Sequence, residues 1–146
     1  MKSNKRPARG FEPSSEKIPR TRAAIDQIKD LPVAWHIKCL DREGRWCWKN
    51  IDTETFWSVI QSKLGNFETM KWSDILGPRH HEIPKTKLIP EAQRRLEEIS
   101  QDDVDILVSL HLDGKKIIWG IRENNILKIL WWDPKHEICP SPKKHT

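Results

Sequence analysis

The sequence predicts an α+β fold in which an N-terminal hairpin and helices pack on one face of a C-terminal antiparallel meander. Before residue 100, apolar residues recur at three- and four-residue intervals, which is typical of amphipathic helices. From residue 104 onward they alternate with a period of two, which is typical of strands. The 146 residues are enough for one hydrophobic core. We therefore expect a basic arm over 1–22 and a single α+β domain over 23–146.

The first 22 residues are expected to form a disordered arm. They contain seven basic and two acidic side chains, which accounts for the whole formal net charge of +5, and they show no apolar periodicity. Such an arm either attracts nucleic acid non-specifically through counterion release or is a solvated tail without a partner. The sequence alone leaves both interpretations open.

Composition argues against several classes of protein. No apolar run approaches the ~20 residues of a membrane helix, and the basic start lacks the apolar core of a secretory signal. Three cysteines are a sparse and odd set, which argues against a disulfide framework. These features favour a small cytoplasmic protein that has no membrane partner.

The amino-terminal half predicts a hairpin followed by a helix. Two strands over 34–41 and 45–52 are expected to pair across a polar connection that ends in glycine. Asp52 or Thr53 is expected to cap the helix, which runs through Gly65. The apolar stripe of this helix is expected to consist of four side chains: Phe56, Trp57, Ile60 and Leu64.

Shorter elements are expected around these two. A short helix is predicted over 21–30, a helical turn over 68–76, and a loop or edge strand over 79–84. Pro90 opens another helix, because proline suits the first helical turn, and this helix ends near Ser100.

The turns of the meander predict its register. Asp113-Gly114 is a strong signal for a two-residue turn, which would pair Leu112 with Lys115. A three-residue loop over 123–125 is expected to join the second and third strands. This register collects apolar side chains on one face: Ile106, Val108, Leu110, Ile117, Trp119, Ile121, Leu127, Ile129 and Trp131.

The opposite face of the predicted meander mixes cations with an imidazole and an indole. His111, Lys116 and Trp132 are expected to lie side by side there, with Arg122 and Lys128 farther along the strands. Lysine and arginine bind phosphate oxygens and tryptophan stacks on bases, so this face predicts a nucleic-acid site. The alternative is an ordinary cross-strand ion pair of Arg122, beside apolar side chains that another segment covers.

Two further groups of histidines carry candidate chemistry. A turn after the last strand is expected to bring His136 back beside the end of the sheet, where it would act as a general acid or base. Arg79, His80 and His81 form a cationic cluster in a predicted loop, where functional residues tend to lie. His136 and Cys139 have the spacing of two metal ligands, but a structural zinc site needs four, so no metal or other cofactor is expected.

The C-terminal part of the chain contains a strand that reads basic-apolar-apolar-aromatic, a following apolar-x-apolar strand and the closing His136. With these features the region of about residues 88–139 resembles the RelE/YoeB-like bacterial toxins. The resemblance implies a small ribonuclease of a toxin–antitoxin pair, which cleaves messenger RNA, usually on the ribosome, without metal. By this resemblance Lys115 or Lys116 takes the place of the basic residue of the strand. The tail, which reads LWWDPKHEICPS, also resembles the tails of other small bacterial and mobile-element proteins.

The leading hypothesis is a metal-independent endoribonuclease-type toxin, or a descendant of one, with RNA and a cognate antitoxin as partners. In it, a general base removes the proton of the 2′-hydroxyl, and cations stabilise the charge that develops on the phosphate. The catalytic candidates are His136, Arg122, Lys116 and His111, and the substrate-binding candidates are Trp132, Lys128, Arg79, His80 and His81. The alternatives are a non-catalytic protein-binding module of a mobile-element or defence system, which docks a partner through Trp132, and a nucleic-acid binder that relies on the arm.

Overall fold

The computed structural model describes residues 31–140, which form a five-stranded sheet with helices packed against it. The strands are β1 (Ala34–His36), β2 (His81–Pro84), β3 (Ile106–Asp113), β4 (Lys116–Glu123) and β5 (Ile126–Asp133). Their order in the sheet is β1-β5-β4-β3-β2, with β1 parallel to β5 and the other neighbours antiparallel. The α+β class and the three-stranded meander are thus confirmed. The predicted arm over 1–22 and helix over 21–30 lie outside the described residues.

Along the chain, the helical elements lie between β1 and β3. They are α1 (Thr53–Thr55), a π-helical segment (Phe56–Gln61), α2 (Ser62–Phe67), α3 (Trp72–Ile75), a 3₁₀ turn (Lys85–Lys87) and α4 (Pro90–Glu98). Asp52 caps α1, because its carboxylate accepts a hydrogen bond from the backbone N–H of Thr55, and Pro90 opens α4, both as predicted. Within residues 31–140, no helix is long and apolar enough to cross a membrane.

The predicted apolar stripe of the first helix is only partly correct. The helix continues without a break from α1 to Phe67, and Ile60 is buried as expected. Phe56 and Trp57, however, are 39% and 59% exposed. They lie in the π-helical segment, whose wider turns change the direction of successive side chains from that of an α-helix.

The sheet has a hydrophobic core on each face, so the prediction that helices cover only one face was wrong. On one side, which we call the α1–α3 face, the sheet packs against Ile60, Phe67 and Trp72. On the other, which we call the α4 face, it packs against Ala92 and Leu96 of α4. The physical reason is that each strand of the meander carries large apolar side chains in both alternating sets.

The register of the first hairpin differs by one residue from the prediction. The turn is formed by Gly114 and Lys115, with Asp113 opposite Lys116, and only Gly114 has a positive φ (59°). A bulge at Leu112 follows, so that His111 lies opposite Ile117 and Leu110 opposite Ile118. A one-residue slip moves a whole set of side chains to the other face of a sheet. His111 therefore shares the α4 face with Ile117 and Trp119, which the prediction had placed on the opposite face.

The second hairpin also departs from the prediction. Glu123 lies opposite Ile126, so the loop contains two residues rather than three. A bulge at Leu130 then places both Leu130 and Trp131 in the core of the α4 face, while Trp132 belongs to the core of the α1–α3 face. Trp131 shares a face with Trp119, as predicted, but the bulge separates it from Leu127 and Ile129, which simple alternation had placed on the same face.

The predicted hairpin over 34–52 does not form. Only β1 is a strand there, and it pairs in parallel with β5, while residues 41–50 form turns. Trp46 and Trp48, which alternation would place on one face, lie on opposite faces of the sheet. Trp46 packs on Trp131 at 5.6 Å and Trp48 on Trp132 at 5.9 Å between ring centroids.

Candidate active site at the edge of the sheet

Four of the six histidines come together beside the β2 edge of the sheet. We call His80, His81, His111 and His136 the histidine cluster. The ring centroid of His111 lies 6.4 Å from that of His80, 5.7 Å from that of His81 and 5.6 Å from that of His136. All four rings are partly exposed, so a ligand from solvent can reach them.

The sheet places three of these histidines directly. His81 begins β2 and pairs with Ser109 of β3, two residues before His111. The backbone N–H of His111 donates a hydrogen bond of 3.0 Å to Nδ1 of His80, which fixes the orientation of the His80 ring. The segment 79–84, predicted as a loop or an edge strand, forms β2 from His81 onward, and it brings both His80 and His81 next to His111.

Asp133 places the fourth histidine. Its buried carboxylate accepts hydrogen bonds from the backbone N–H groups of Glu137 (2.8 Å) and Ile138 (3.0 Å) and from Nε1 of Trp119 (3.2 Å). These bonds hold the turn after β5 in a conformation in which His136 has a φ of 58°. The predicted return of His136 to the end of the sheet is thus confirmed. Asp133 was not among the predicted site residues, and the available signal for it was the Asp-Pro-x-His spacing.

The cluster borders a cavity of about 190 Å³ on the α4 face. This is several times the ~30 Å³ that a water molecule occupies in the liquid. The cavity is lined by His81, Ile83, Ser109, His111, Ile117, Trp119, His136, Cys139 and Pro140. Three imidazoles and one hydroxyl therefore meet at a pocket whose floor is apolar.

Burial and like charges control protonation in the cluster. Burial, together with the positive charges that His136, His81 and their neighbours can carry, lowers the pKa of His111 to about 4. The pKa of His80 is lowered by the same causes, burial first and the charge of Arg79 next. His111 is therefore neutral at pH 7 and able to accept a proton.

Cys139 lines the same cavity but is not activated as a nucleophile. Burial raises the pKa of its thiol, which keeps it protonated at neutral pH. No group of three or more His, Cys, Asp or Glu side chains within residues 31–140 has the geometry to hold a metal ion.

Trp132, Lys116 and Arg122 do not join the cluster, which corrects the predicted site. Trp132 is only 7% exposed and packs on Trp48 in the core of the α1–α3 face, so it cannot stack on a base. Strand alternation places Lys116 on that same face, opposite to His111. The guanidinium of Arg122 lies 3.5 Å from Glu82 and 5.6 Å from the centre of the Trp72 ring, also on the α1–α3 face.

The remaining two candidates occupy different places. Lys128 lies opposite Ile121, five residues before Asp133 at the other end of β5, and its ammonium is 3.6 Å from Glu123. Arg79 is exposed and lies close enough for its charge to lower the pKa of His111. Of the nine predicted site residues, the histidines and Arg79 are brought together, whereas the strand cations and Trp132 are not.

A second polar cluster on the α4 face contains Asp41 and Arg95. The Asp41 side chain is fully buried and accepts two hydrogen bonds from Arg95, of 2.7 and 2.8 Å. It also accepts hydrogen bonds from Nε1 of Trp131 and from the backbone N–H groups of Glu43 and Gly44. Burial alone would raise the pKa of Asp41, but these bonds, above all those from Arg95, hold it well below its usual range.

Comparison of the chain with protein-family models, with curated proteins and with solved structures found no match. Function is therefore inferred from the geometry of the histidine cluster and from its chemistry.

Proposed function

We propose that this chain is a metal-independent endoribonuclease-type toxin, or a descendant of one, and that the histidine cluster is its active site. The observation that carries the proposal is the pair His111 and His136, two partly exposed imidazoles with 5.6 Å between ring centroids at the mouth of a cavity. Cleavage of RNA without metal needs one group that accepts a proton and one that donates it. Two neighbouring imidazoles supply both.

In the proposed reaction, neutral His111 takes the proton of the 2′-hydroxyl. The 2′-oxygen attacks the adjacent phosphorus, and the bond from phosphorus to the 5′-oxygen breaks. His136, in its protonated form, donates a proton to the leaving 5′-oxygen. The products are a 2′,3′-cyclic phosphate and a free 5′-hydroxyl, so atoms and charges balance without a metal or a cofactor. The lowered pKa of His111 keeps its ring in the neutral form that a general base requires near pH 7.

In this proposal His81 and Arg79 stabilise the negative charge that develops on the attacked phosphate. His81 lines the cavity, and the charge of Arg79 acts on His111. In this proposal they replace Arg122 and Lys116, which lie on the other face of the sheet. The chain contains no tyrosine, so the imidazoles carry the proton transfers that a phenol would otherwise carry. The proposal includes a cognate antitoxin as partner, messenger RNA as substrate and the cytoplasm as location.

The test is cleavage of a defined single-stranded RNA by the purified full chain in the presence of EDTA. We expect the intact protein to cleave RNA but not DNA of the same sequence, and to leave a cyclic phosphate end. The double variant His111→Gln/His136→Gln should lose about 10²–10⁴-fold in rate, the usual contribution of general acid–base catalysis. The matched control is His36→Gln, which removes an exposed imidazole outside the cluster and should leave the rate unchanged.

Two results would contradict this proposal. One is RNA cleavage by the double variant at the rate of the intact protein. The other is the absence of both RNA cleavage and growth arrest when the intact chain is expressed in bacteria, which would remove the ribonuclease and the toxin together.

A protein-binding module is a second candidate function, which an apolar groove on the α1–α3 side favours. The groove has a volume of about 280 Å³ and is bordered by Trp35, Ile37, Phe56 and Ile60. Ile37 is 68% exposed, and Trp57 stacks edge-on against Phe56 at its rim. An amphipathic helix of a partner protein would fit such a groove. Trp132, the docking residue expected from the sequence, is buried and has no part in it.

Expression of the chain in bacteria distinguishes the two candidate functions. A binding module predicts stoichiometric co-purification with one protein, no growth arrest, and loss of the partner when Ile37 is replaced by Asp. A ribonuclease predicts growth arrest that His111→Gln/His136→Gln abolishes and Ile37→Asp does not.

A further inference from the structure

The lining of the cavity beside the histidine cluster has an unusual charge composition. Three imidazoles face it, and among its lining residues in the described part of the chain there is no carboxylate. Histidines that serve only the fold commonly donate to a carboxylate or a carbonyl, which keeps one ring nitrogen occupied. Here the neighbours of the central His111 ring are other imidazoles, in edge-on contact.

The charged groups that surround His111 from each packed element are positive or can become so. The segment that leads into β2 contributes Arg79 and His80, β2 contributes His81, and the turn after β5 contributes His136. Lys63 of α2 adds its charge at His80. The buried carboxylate of Asp133 belongs to the same turn as His136, but it is occupied by three N–H donors, one from Trp119 and two from the backbone.

We propose that His81, His111 and His136 form a binding site for a tetrahedral oxyanion of the phosphoryl class, and that the anion binds together with protons taken up from solvent. The proposal deepens the function proposed above, and it rests on that function only for the identity of RNA phosphate as the natural anion. The site itself follows from the cavity, from the convergence of the imidazoles and from a described lining without a carboxylate.

The physical reason lies in the cost of charging the cluster while it is empty. Protonating His111 places a positive charge in a partly desolvated position beside other imidazoles and Arg79, which lowers its pKa to about 4 and keeps this ring neutral near pH 7. An oxyanion reverses this cost, because each proton then neutralises charge and gives the ring a second N–H donor. The Ser109 hydroxyl, at the same cavity, adds a neutral donor. Binding of the anion and uptake of the proton are therefore linked.

Sulfate is the appropriate probe, since it keeps its charge between pH 5 and 8 and any dependence on pH belongs to the protein. The affinity for sulfate would be measured on the full chain by following the histidine ring signals in nuclear magnetic resonance spectra, with chloride holding the ionic strength constant. We expect the dissociation constant to rise about tenfold per pH unit between pH 5.5 and 7.5, the slope for one proton taken up per anion. Since that slope requires the ring to stay protonated in the complex over this interval, saturating sulfate should raise the apparent pKa of His111 from about 4 to at least about 7.5.

Variants of the histidine cluster test whether sulfate binds there. At pH 5.5, His111→Gln should weaken sulfate binding at least tenfold, whereas His36→Gln, which removes an exposed imidazole of β1, should leave it unchanged. If His111→Gln does not fold, His136→Gln gives the same test from the exposed turn. A dissociation constant that is independent of pH, or one that is unchanged in the folded cluster variant, would overturn the proposal.

The outcomes distinguish this inference from the proposed function. Proton-linked sulfate binding without any RNA cleavage would support the anion site and remove the ribonuclease. RNA cleavage that depends on His111 in a protein that does not bind sulfate would remove the anion site and leave the ribonuclease in place.

Discussion

Two polar clusters on the α4 face of the sheet differ in how their charges are balanced. Around Asp41, a carboxylate meets the guanidinium of Arg95 and accepts five hydrogen bonds, so the buried charge is fully compensated. In the histidine cluster, imidazoles meet one another and Arg79, and no carboxylate among residues 31–140 lines the cavity they share. The charge of the first cluster is compensated within the fold, whereas in the proposal above the second cluster is compensated by a bound anion.

The comparison gives a criterion for assigning polar clusters in a protein without matched relatives. The pKa of Asp41 is displaced toward the charged form by its partners, and the pKa of His111 is displaced toward the neutral form by burial first and by the charges of its neighbours next. Asp41 is held charged by partners inside the fold, whereas His111 is held neutral beside a partly open pocket, the setting in which proton exchange with a ligand can occur. We therefore assign structure to the first cluster and chemistry to the second.

The largest effect on stability is expected at Asp41. Asp41→Ala should lower the free energy of unfolding by about 3–5 kcal/mol, because it leaves the Arg95 guanidinium and three N–H groups without their acceptor. The measurement is urea unfolding followed by tryptophan fluorescence. The matched control is Glu98→Ala, which removes the exposed ion pair on the other side of Arg95 and should cost at most about 0.5 kcal/mol. If the two variants lose the same free energy of unfolding, the hydrogen bonds of Asp41 do not stabilise the fold more than the exposed ion pair does.

A smaller effect is expected at Asp133, which connects the fold to the histidine cluster. Asp133→Asn should destabilise the protein by about 2 kcal/mol, because the amide cannot accept all three hydrogen bonds that reach the carboxylate. It should also lower the rate of RNA cleavage, since His136 is no longer held in its turn. Asp113→Asn, at the exposed end of β3, is the control for both the unfolding and the cleavage measurement. If Asp133→Asn unfolds at the same urea concentration as the intact protein, the carboxylate does not fix that turn.

The smallest effect is expected in the dependence of stability on pH. The pKa of His111 is about 4 in the folded protein, against 6.5 for an unperturbed histidine, so the unfolded chain binds more protons between these values. Stability from this group is fully present above pH 6.5 and is lost as the pH falls toward 4. Since the imidazole is only partly buried, we discount the shift for solvent screening and expect about 1 kcal/mol.

The check is urea unfolding of the intact protein and of His111→Gln at pH 7 and at pH 4.5. The variant should lose about 1 kcal/mol less than the intact protein over that interval, because glutamine does not titrate. An equal loss in both proteins would mean that His111 is not held neutral by its neighbours.

The local elements were predictable because their signals are local. The cap at Asp52, the helix that begins at Pro90 and the three strands of the meander depend on residues that are close in the chain. The return of His136 was predictable for the same reason, since the turn needs only a few consecutive residues. The faces of the strands were not, because bulges at Leu112 and Leu130 each insert one residue, and alternation from a turn carries no signal for them.

The histidines of the candidate site were predicted from the sequence, but their meeting in one cluster was not. All four histidines were selected from the sequence, but they were divided between a strand face, a loop and a tail. The contact between His81 and His111 needs the pairing of β2 with β3, which are separated by the 21 residues 85–105, and no local pattern specifies it. The parallel pairing of β1 with β5 is a non-local contact of the same kind, and it replaced the predicted hairpin.

By itself, the amino-acid sequence determined the three strands of the meander, the helix starts at Asp52 and Pro90, and the histidines that have titratable chemistry to offer. Those properties follow from periodicity, from caps and from side-chain type, which act over a few residues. Only the tertiary structure decided which histidines meet, and that Lys116 and Arg122 lie on the other face of the sheet. It also decided that the carboxylate of Asp133 accepts hydrogen bonds from three N–H donors. The reason is that strand pairing and bulges are selected by burial on both faces of the sheet at once, a property of the whole chain.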